Sequence, residues 1–483
     1  MDSCKKQHSV SKPTDIIMEL LKEFEYKNTN DTIFALIETV NGKEELSMES
    51  VAFRNIIANH YFQKTFKTVN PSLLKSCISC YYGYLYETLL KTTTRFRIFM
   101  EDDNSAIYID KGDKDYHYYK ITADGWSEET GGDKYFKRSP STAELPSPSR
   151  KGNVKRLFKY CRVPDKMKNV FIAFVVSCFI DIQHPCLVIQ GEAGSSKTTQ
   201  SKILKMLIDP CTFNEPHIFP KNAEELKDIY TQMYLASYDN LDRLTRKQSD
   251  FLCSAITGVQ LIRRKLFTNS ESCSYFLRQP IILNGISGIV SKEDLMSRSI
   301  VLTLPKLLKS ERKSERLLMK EYKEDLPVIL GGIFDILSEM LGTYKEETFD
   351  DTPRMADFYE FGYYICEAYG KGDDFCKEYL SLVDNQEKHV SAENANLFGL
   401  IDALMEENEN YWYDTVGHTW EELKEYSYEY DISMPNAPNK LSKELSDCKK
   451  YLEENGIKFE FSRDSENCRC IEIYRRSVEK ASA

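Results

Sequence analysis

Cys186-Leu-Val-Ile-Gln-Gly191-Glu192-Ala193-Gly194-Ser195-Ser196-Lys197-Thr198-Thr199 is the stretch whose reading decides the fold. An apolar run of strand length ends in a glycine-containing turn, followed by a lysine, two hydroxyls and helix-forming residues. That order suits a phosphate cradle. Backbone N–H groups would wrap the phosphates, Lys197 would reach the outer ones, and the Thr198 hydroxyl would ligate Mg²⁺. The helix that follows would turn its positive dipole end towards the same charge. The pattern departs from its common form at Ser196, where a glycine normally precedes the lysine.

Two later apolar runs also end in polar residues. Met233-Tyr-Leu-Ala-Ser-Tyr-Asp239-Asn240 ends in a carboxylate, and Pro280-Ile-Ile-Leu-Asn284-Gly285 ends in an amide. Strands alternating with helices across 151–345 predict a parallel α/β sheet that delivers these groups to its carboxyl ends, where ligands bind. Asp239 is expected to hold Mg²⁺ with Thr198, and Asn284 to contact the terminal phosphate or the attacking water. The neighbour of the metal carboxylate is Asn240, where many ATPases place an acid. Either Asp242 serves as the general base, or Asn240 only orients the water. Asp294-Leu-Met-Ser-Arg298 supplies an arginine suited to stabilising transition-state charge from a neighbouring subunit, with a surface ion pair as the plain alternative. Arg312 or Arg316 reads as a second phosphate sensor or as solvated helix charge.

Composition bounds the reading. At 483 residues the chain has room for a few domains, at ~150 residues each. Hydrophobic residues at 41% and charged residues at 29% suit a soluble globular protein. A net charge of −11 does not exclude a nucleic-acid partner, because a channel needs only a local basic lining. Fourteen cysteines are scattered without secreted-type spacing and without a signal peptide, which reads as a reducing cytoplasm. Cys77-Ile-Ser-Cys80 offers two of the four ligands that zinc normally takes, so buried thiols are the simpler reading. The apolar run Val170 to Ile180 falls short of the ~20 residues of a membrane span and reads as a core helix.

Outside the central region, apolar spacing in Asp15 to Phe24 and in Met48 to Phe66 predicts helices for residues 1–94. Residues 95–150 alternate at period two and read as a small β-rich module with a proline-rich linker. Residues 346–412 read as a helical connector, with separate helices reaching Leu382 and running from Asn394 to Glu409. In 413–483, a helix from Trp420, a helix from Leu441 to Leu452 and strands Ile457–Phe461 and Cys470–Tyr474 follow the order of a winged helix. Lys440, Lys443, Lys449 and Lys450, with Lys458, Arg463 and Arg469, suit phosphate contacts there. Glu444, Asp447, Glu453 and Glu454 dilute that charge, and a protein contact is the alternative.

Gly191 to Thr198 resembles the P-loop of MCM-type helicases, in which a small residue other than glycine precedes the lysine. Tyr238-Asp-Asn-Leu241, Ser249 to Cys253, Thr257-Gly258, Arg263 to Thr268 and Arg278 to Ile286 resemble the AAA+ core of superfamily 3 and MCM-like replicative helicases of phages, plasmids and mobile elements. Asp294 to Arg298 resembles the arginine-finger segment of the MCM group. The resemblance spans roughly Arg95 to Arg476, and the first ninety or so residues show no primase signature. It implies a multidomain α/β protein with an AAA+ P-loop core, using ATP and Mg²⁺. It also implies a ring, as a hexamer, acting on single-stranded or forked DNA beside a replication initiator or primase. In that family a hairpin grips one strand in the pore; here Arg263, Arg264 and Lys265 either line the pore or anchor the hairpin base, with Asn269 to Ser272 at its tip. A remodeller or loader that does not unwind, and a non-hydrolysing DNA-binding initiator or scaffold, are the competing expectations.

Overall fold

The computed structural model describes residues 12–475, except 30–31, 40–41, 93–94, 132–135, 221–224, 226–228, 230–231, 242–243, 265–271, 287, 291, 308–309, 311, 347–348, 350 and 430–433. The chain divides into two compact units, residues 1–289 with 299–378 and residues 290–298 with 379–483.

The first unit begins with a mixed module. Helix α1 (Pro13–Leu21) is followed by strands β1 (Glu25–Thr29), β2 (Thr32–Thr39) and β3 (Gly42–Ser47), then helices α2 (Val51–Thr65) and α3 (Pro71–Thr88) and strand β4 (Lys91–Thr92). The sheet order is β3-β2-β1-β4. This corrects the all-helical expectation. In β2, Ile33, Ala35 and Ile37 point inward at the strand period of two, and join Phe53, Ile57, Leu74, Ile78 and Leu85 in one core. The half-buried Phe34 and Leu36 fill the alternate positions, which hides the period in an unbroken apolar run. Both long helices have sequence-encoded starts: Ser50 accepts from the Phe53 N–H, and Asn70 accepts from Ser72 and Leu73 just ahead of Pro71.

Next come the short strands β5 (Arg95–Phe96), β6 (Ile98–Met100), β7 (Ile107–Asp110), β8 (His117–Thr122), β9 (Gly125–Thr130) and β10 (Phe136–Lys137). Strands β6 to β9 form an antiparallel meander in chain order, and β5 pairs with β10.

The central region supplies α4 (Lys168–Ser177), β11 (Cys186–Gln190), α5 (Lys197–Ile208), β12 (His217–Ile218), β13 (Ala236–Leu241), α6 (Arg246–Thr257), the hairpin β14 (Val259–Arg264) and β15 (Ser272–Leu277), and β16 (Ile281–Gly285). Helix α7 (Glu293–Met296), counted with the second unit, precedes β17 (Ser299–Thr303). The sheet is parallel with order β12-β13-β16-β11-β17. Burial on both faces explains why β11 and β16 read as near-continuous apolar runs.

Helix α8 (Glu315–Thr343) is long and apolar enough to cross a membrane by length and composition, but 61% of its most apolar window is buried inside the protein. Its Gly331-Gly332 pair admits a close neighbour. A Cβ on Gly331 would stand 1.9 Å from the Ser149 carbonyl oxygen. The linker backbone therefore lies directly on the helix, and the Ser149 and Asn153 N–H groups donate to the Pro327 and Val328 carbonyls at 2.8 Å. Helix α9 (Ala356–Glu367) follows. Helix α10 (Gly372–Glu407) then runs unbroken through the segment read as two helices.

The second unit is completed by β18 (Tyr411–Thr415), α11 (Val416–Glu429), α12 (Pro438–Asp447), α13 (Lys449–Glu454), β19 (Ile457–Arg463) and β20 (Arg469–Arg475). Its antiparallel sheet has the order β18-β20-β19 over a core of Leu400, Leu404, Leu441, Leu445, Leu452 and Ile471. Two details differ from expectation. Strand β18 adds a third member to the predicted hairpin, and the Leu441–Leu452 helix breaks at Cys448, whose φ of −95° and ψ of 12° leave the helical region.

Candidate functional site

The loop after β11 is tightly constrained. Gly191 has φ 155°, and a Cβ there would stand 2.5 Å from the Leu304 carbonyl oxygen, so a side chain is excluded. Its N–H donates to the Ile286 carbonyl at 2.8 Å, anchoring the loop to the end of β16. Ser195 is buried and donates to the Glu192 carbonyl at 2.9 Å. Ser196, the residue that breaks the common pattern, has φ 69° and ψ 27° in the left-handed region. The preference for glycine at this position is thus conformational, and serine meets it at a cost on the order of 1 kcal/mol.

Lys197 opens α5 and folds back over the loop. Its Nζ donates to the carbonyls of Gly191 at 2.7 Å and Glu192 at 3.0 Å. Burial lowers its pKa, and the Asp239 carboxylate opposes that effect. One residue on, Thr198 Oγ1 donates to Asp239 Oδ2 at 2.6 Å, across 41 positions of sequence. The start of α5 and the carboxyl-terminal part of β13 thereby present two oxygens side by side, the donor set that a hard divalent cation takes beside phosphate. The other Asp239 oxygen accepts from the Asn240 N–H at 2.8 Å. Asn240 itself has φ 57°, at a register shift between Tyr238 and Leu241. Asp242 lies outside the described residues.

Asn284 departs from expectation. It stands beside Ile189 in the sheet register and is 0% exposed, with Oδ1 accepting from Ser201 Oγ of α5 at 2.8 Å. Its side chain faces the flank of α5, because its place on β16 is one residue short of the strand end. The buried Nδ2 has no partner among the described residues, a condition costing ~1–3 kcal/mol.

Two basic groups beside the loop come from the segment after β17. Lys306 pairs with Glu192 at 3.3 Å, and the Arg312 guanidinium lies 3.9 Å from the position of a Cβ on Gly194. Lys306 was missed by the sequence reading because a lysine after a proline carries no local signal. Arg316 is exposed, with no contact to the loop recorded among the described residues.

The far end of α5 holds a buried ionic cluster that no motif announces. Asp209, 5% exposed, accepts from Lys205 at 2.7 Å, from the Tyr234 and Leu235 N–H groups at 3.0 Å each, and from Arg97 Nε at 3.2 Å. Burial raises its pKa, but Lys205, Arg97 and the hydrogen bonds more than offset this and hold the carboxyl at about 2. Arg97 also donates to the carbonyls of Asp110, Ala143 and Pro210. The cluster joins the β-rich module, the phosphate-loop helix and the segment leading to Asp239.

The remaining expected residues are dispersed. Arg298 belongs to the second unit, where it pairs with Asp294 Oδ1 at 2.5 Å and donates to the Asp294 carbonyl at 2.7 Å. Arg263 and Arg264 sit on β14 opposite Cys273 and Ser272, while Lys265 lies outside the described residues. Lys440 is exposed and Lys443 half-buried. Arg463 braces its own turn by donating to Asn467 Oδ1 at 2.9 Å. Among the described cysteines none is paired, and Cys77 and Cys80 join no described metal-ligand cluster.

The family model of the actinomycete integrative conjugative element replication protein matches residues 154–376. No curated protein matches the chain. Among solved structures, the A-form apo structure of the NrS-1 C-terminal region is 11% identical, covering 96% of this chain and 100% of that one at a TM-score of 0.41. Another apo structure of that region is 12% identical, covering 96% and 99% at the same TM-score. The matched family span takes in Lys197, Asp239, Asn284 and Arg298. Across the segment that carries the Gly191–Thr199 loop, the chain is therefore similar to a replication protein of a mobile element.

Proposed function

We propose that the chain is an ATP-driven DNA helicase of the AAA+ type, working as a ring in the replication of a mobile element. The observation that carries this reading is the contact that Thr198 Oγ1, in the Gly191–Thr199 stretch, makes with Asp239 Oδ2. Two features support it: the strand β16 between the phosphate-loop strand and the Asp239 strand, and the central span's similarity to a replication protein.

Mg²⁺ fits Thr198 and Asp239, and when bound it would neutralise charge building on the terminal phosphates. The loop amides would hold the triphosphate. Lys197 would exchange its two loop carbonyls for phosphate oxygens, and Arg312 would approach the same charge from the Gly194 side. Arg298 would give up Asp294 and serve the site of an adjacent subunit. Asn284 would act from behind α5, setting Ser201 and the helix start rather than touching phosphate.

Lys197→Ala is expected to abolish unwinding of a forked duplex with ATP; a variant that still unwinds sinks the reading. One observation favours a second reading, in which ATP binds without steady turnover in an initiator or remodeller. Asn240 follows Asp239, so that position supplies no second carboxylate to activate water. Tight ATP binding with no phosphate release, even with DNA present, selects that alternative.

A further inference from the structure

From Ser50 to Tyr86 the chain contains no aspartate or glutamate, although it carries 75 of them in 483 residues. The same stretch holds Arg54, Lys64, Lys67 and Lys75, and it forms α2 and α3 of the N-terminal module. Large apolar side chains stand in solvent on these helices. Phe66, at the left-handed C-cap of α2, is 82% exposed; Phe62, one turn earlier, is 48% exposed. Their rings meet edge to face at 6.4 Å, so the pair forms one platform. Burial of the module's own core does not need them: Phe53, Ile57 and Tyr61 already cover the inner face of α2. Exposed aromatics beside cations, in a run of sequence without acids, have a specific chemical meaning. Bases stack on the rings whatever their sequence, and lysines follow the phosphates. Lys64 is engaged by Glu19 at 3.3 Å and Glu23 at 4.0 Å, which leaves Lys67 and Lys75 as the exposed cations nearest in sequence to the platform.

We propose that the junction of α2 and α3 binds a single strand of nucleic acid, with bases on Phe62 and Phe66 and phosphates on Lys67 and Lys75. The proposal rests on the DNA partner of the preceding section and is independent of the ATP site. On a chain of net charge −11, a run of sequence without acids, whose nearby Glu19 and Glu23 are both taken up by Lys64, would also favour the strand here.

The test uses the full chain without nucleotide and a labelled oligothymidylate of about 20 nucleotides, followed by fluorescence anisotropy over a salt series. Phe62→Ala with Phe66→Ala is expected to weaken binding by roughly thirty-fold or more at unchanged salt slope, since each of the two stacked bases contributes ~1–3 kcal/mol. Lys67→Glu with Lys75→Glu is expected to flatten the slope of log affinity against log salt by about 1–2. The substituted side chains are exposed, so melting temperatures should match wild type. Wild-type affinity in both variants, or no binding by wild type at low salt, overturns the proposal. A shift in sedimentation with unchanged DNA affinity would assign the face to a second copy and also overturn it. Lys197→Ala run alongside separates the two readings: loss of ATP turnover with retained oligonucleotide binding leaves both standing. Turnover surviving in Lys197→Ala defeats only the ATPase reading.

Discussion

The carboxyl end of the parallel sheet and the C-terminal strand-helix module were both expected to carry function, and they use their polar residues in opposite ways. At the sheet, Gly191, Lys197, Thr198 and Asp239 come from separate strands and a helix start, and meet within hydrogen-bonding distance. In the C-terminal module three of the basic groups stay with their own neighbours, although Arg475 reaches back to Asp402. Arg463 holds its own turn, Lys449 lies 3.9 Å from Glu453, and Arg469 stacks over Phe461 at 4.1 Å. A parallel sheet aims every strand end at one place, so sequence-distant groups converge there. An antiparallel sheet over helices spreads its residues across a surface, where each charge finds a local partner. Substitutions in the first region should therefore act on chemistry, and those in the second on little beyond salt-dependent affinity.

The largest effect that would break this contrast concerns Lys197 and Arg298. Each alanine variant is expected to lose ATP turnover by about 10³-fold. Mixing the two inactive variants should restore part of it, because some sites would then combine an intact Lys197 with an intact Arg298. Steady-state phosphate release measures both, and no recovery on mixing would remove Arg298 from the site. Asp209→Ala comes next. Breaking a buried pair costs ~3–5 kcal/mol, so the denaturant midpoint of the first unit should fall sharply. Asp209 has its pKa depressed in the fold, so its contribution is present above the ordinary value. It is lost as pH falls from about 4 towards 2.

His184 sharpens the same point at milder pH. It is buried, and burial pushes its pKa down to about 3. The unfolded chain takes up that proton first, so stability should fall as pH drops below ~6.5. His184→Phe should flatten the melting temperature between pH 7 and pH 4, and an unchanged profile would deny the effect. Smallest of all, Lys440→Glu or Arg463→Glu should change DNA affinity by only a few-fold, with the slope against salt altered by about 1. A loss as large as that of Phe62→Ala with Phe66→Ala would overturn the contrast.

Much of the conformation of the Gly191–Thr199 loop was legible because it is local: strand, turn and helix start follow one another within fourteen residues, and each leaves a backbone signature. The end positions of β13 and β16 were readable for the same reason. What escaped was relational. Ile33, Ala35 and Ile37 gave a strand period that neighbouring apolar residues concealed. Asn284 was expected to meet phosphate or water, but its side chain is buried and meets Ser201 of α5. Arg97 and Asp209 carry no motif at all, and their pairing spans 112 positions.

By itself the sequence determined the elements whose signal lies in nearest neighbours: the Gly191–Thr199 turn, the caps at Ser50 and Asn70, and the acid-free run from Ser50 to Tyr86. Only the tertiary structure decided that Arg97 meets Asp209 and the linker backbone meets Gly331, and gave the Thr198–Asp239 pairing its direct contact. Backbone conformation answers to steric preferences a few residues long. Burial and ion pairing, by contrast, depend on which surfaces the chain brings together, and no short window of sequence records that.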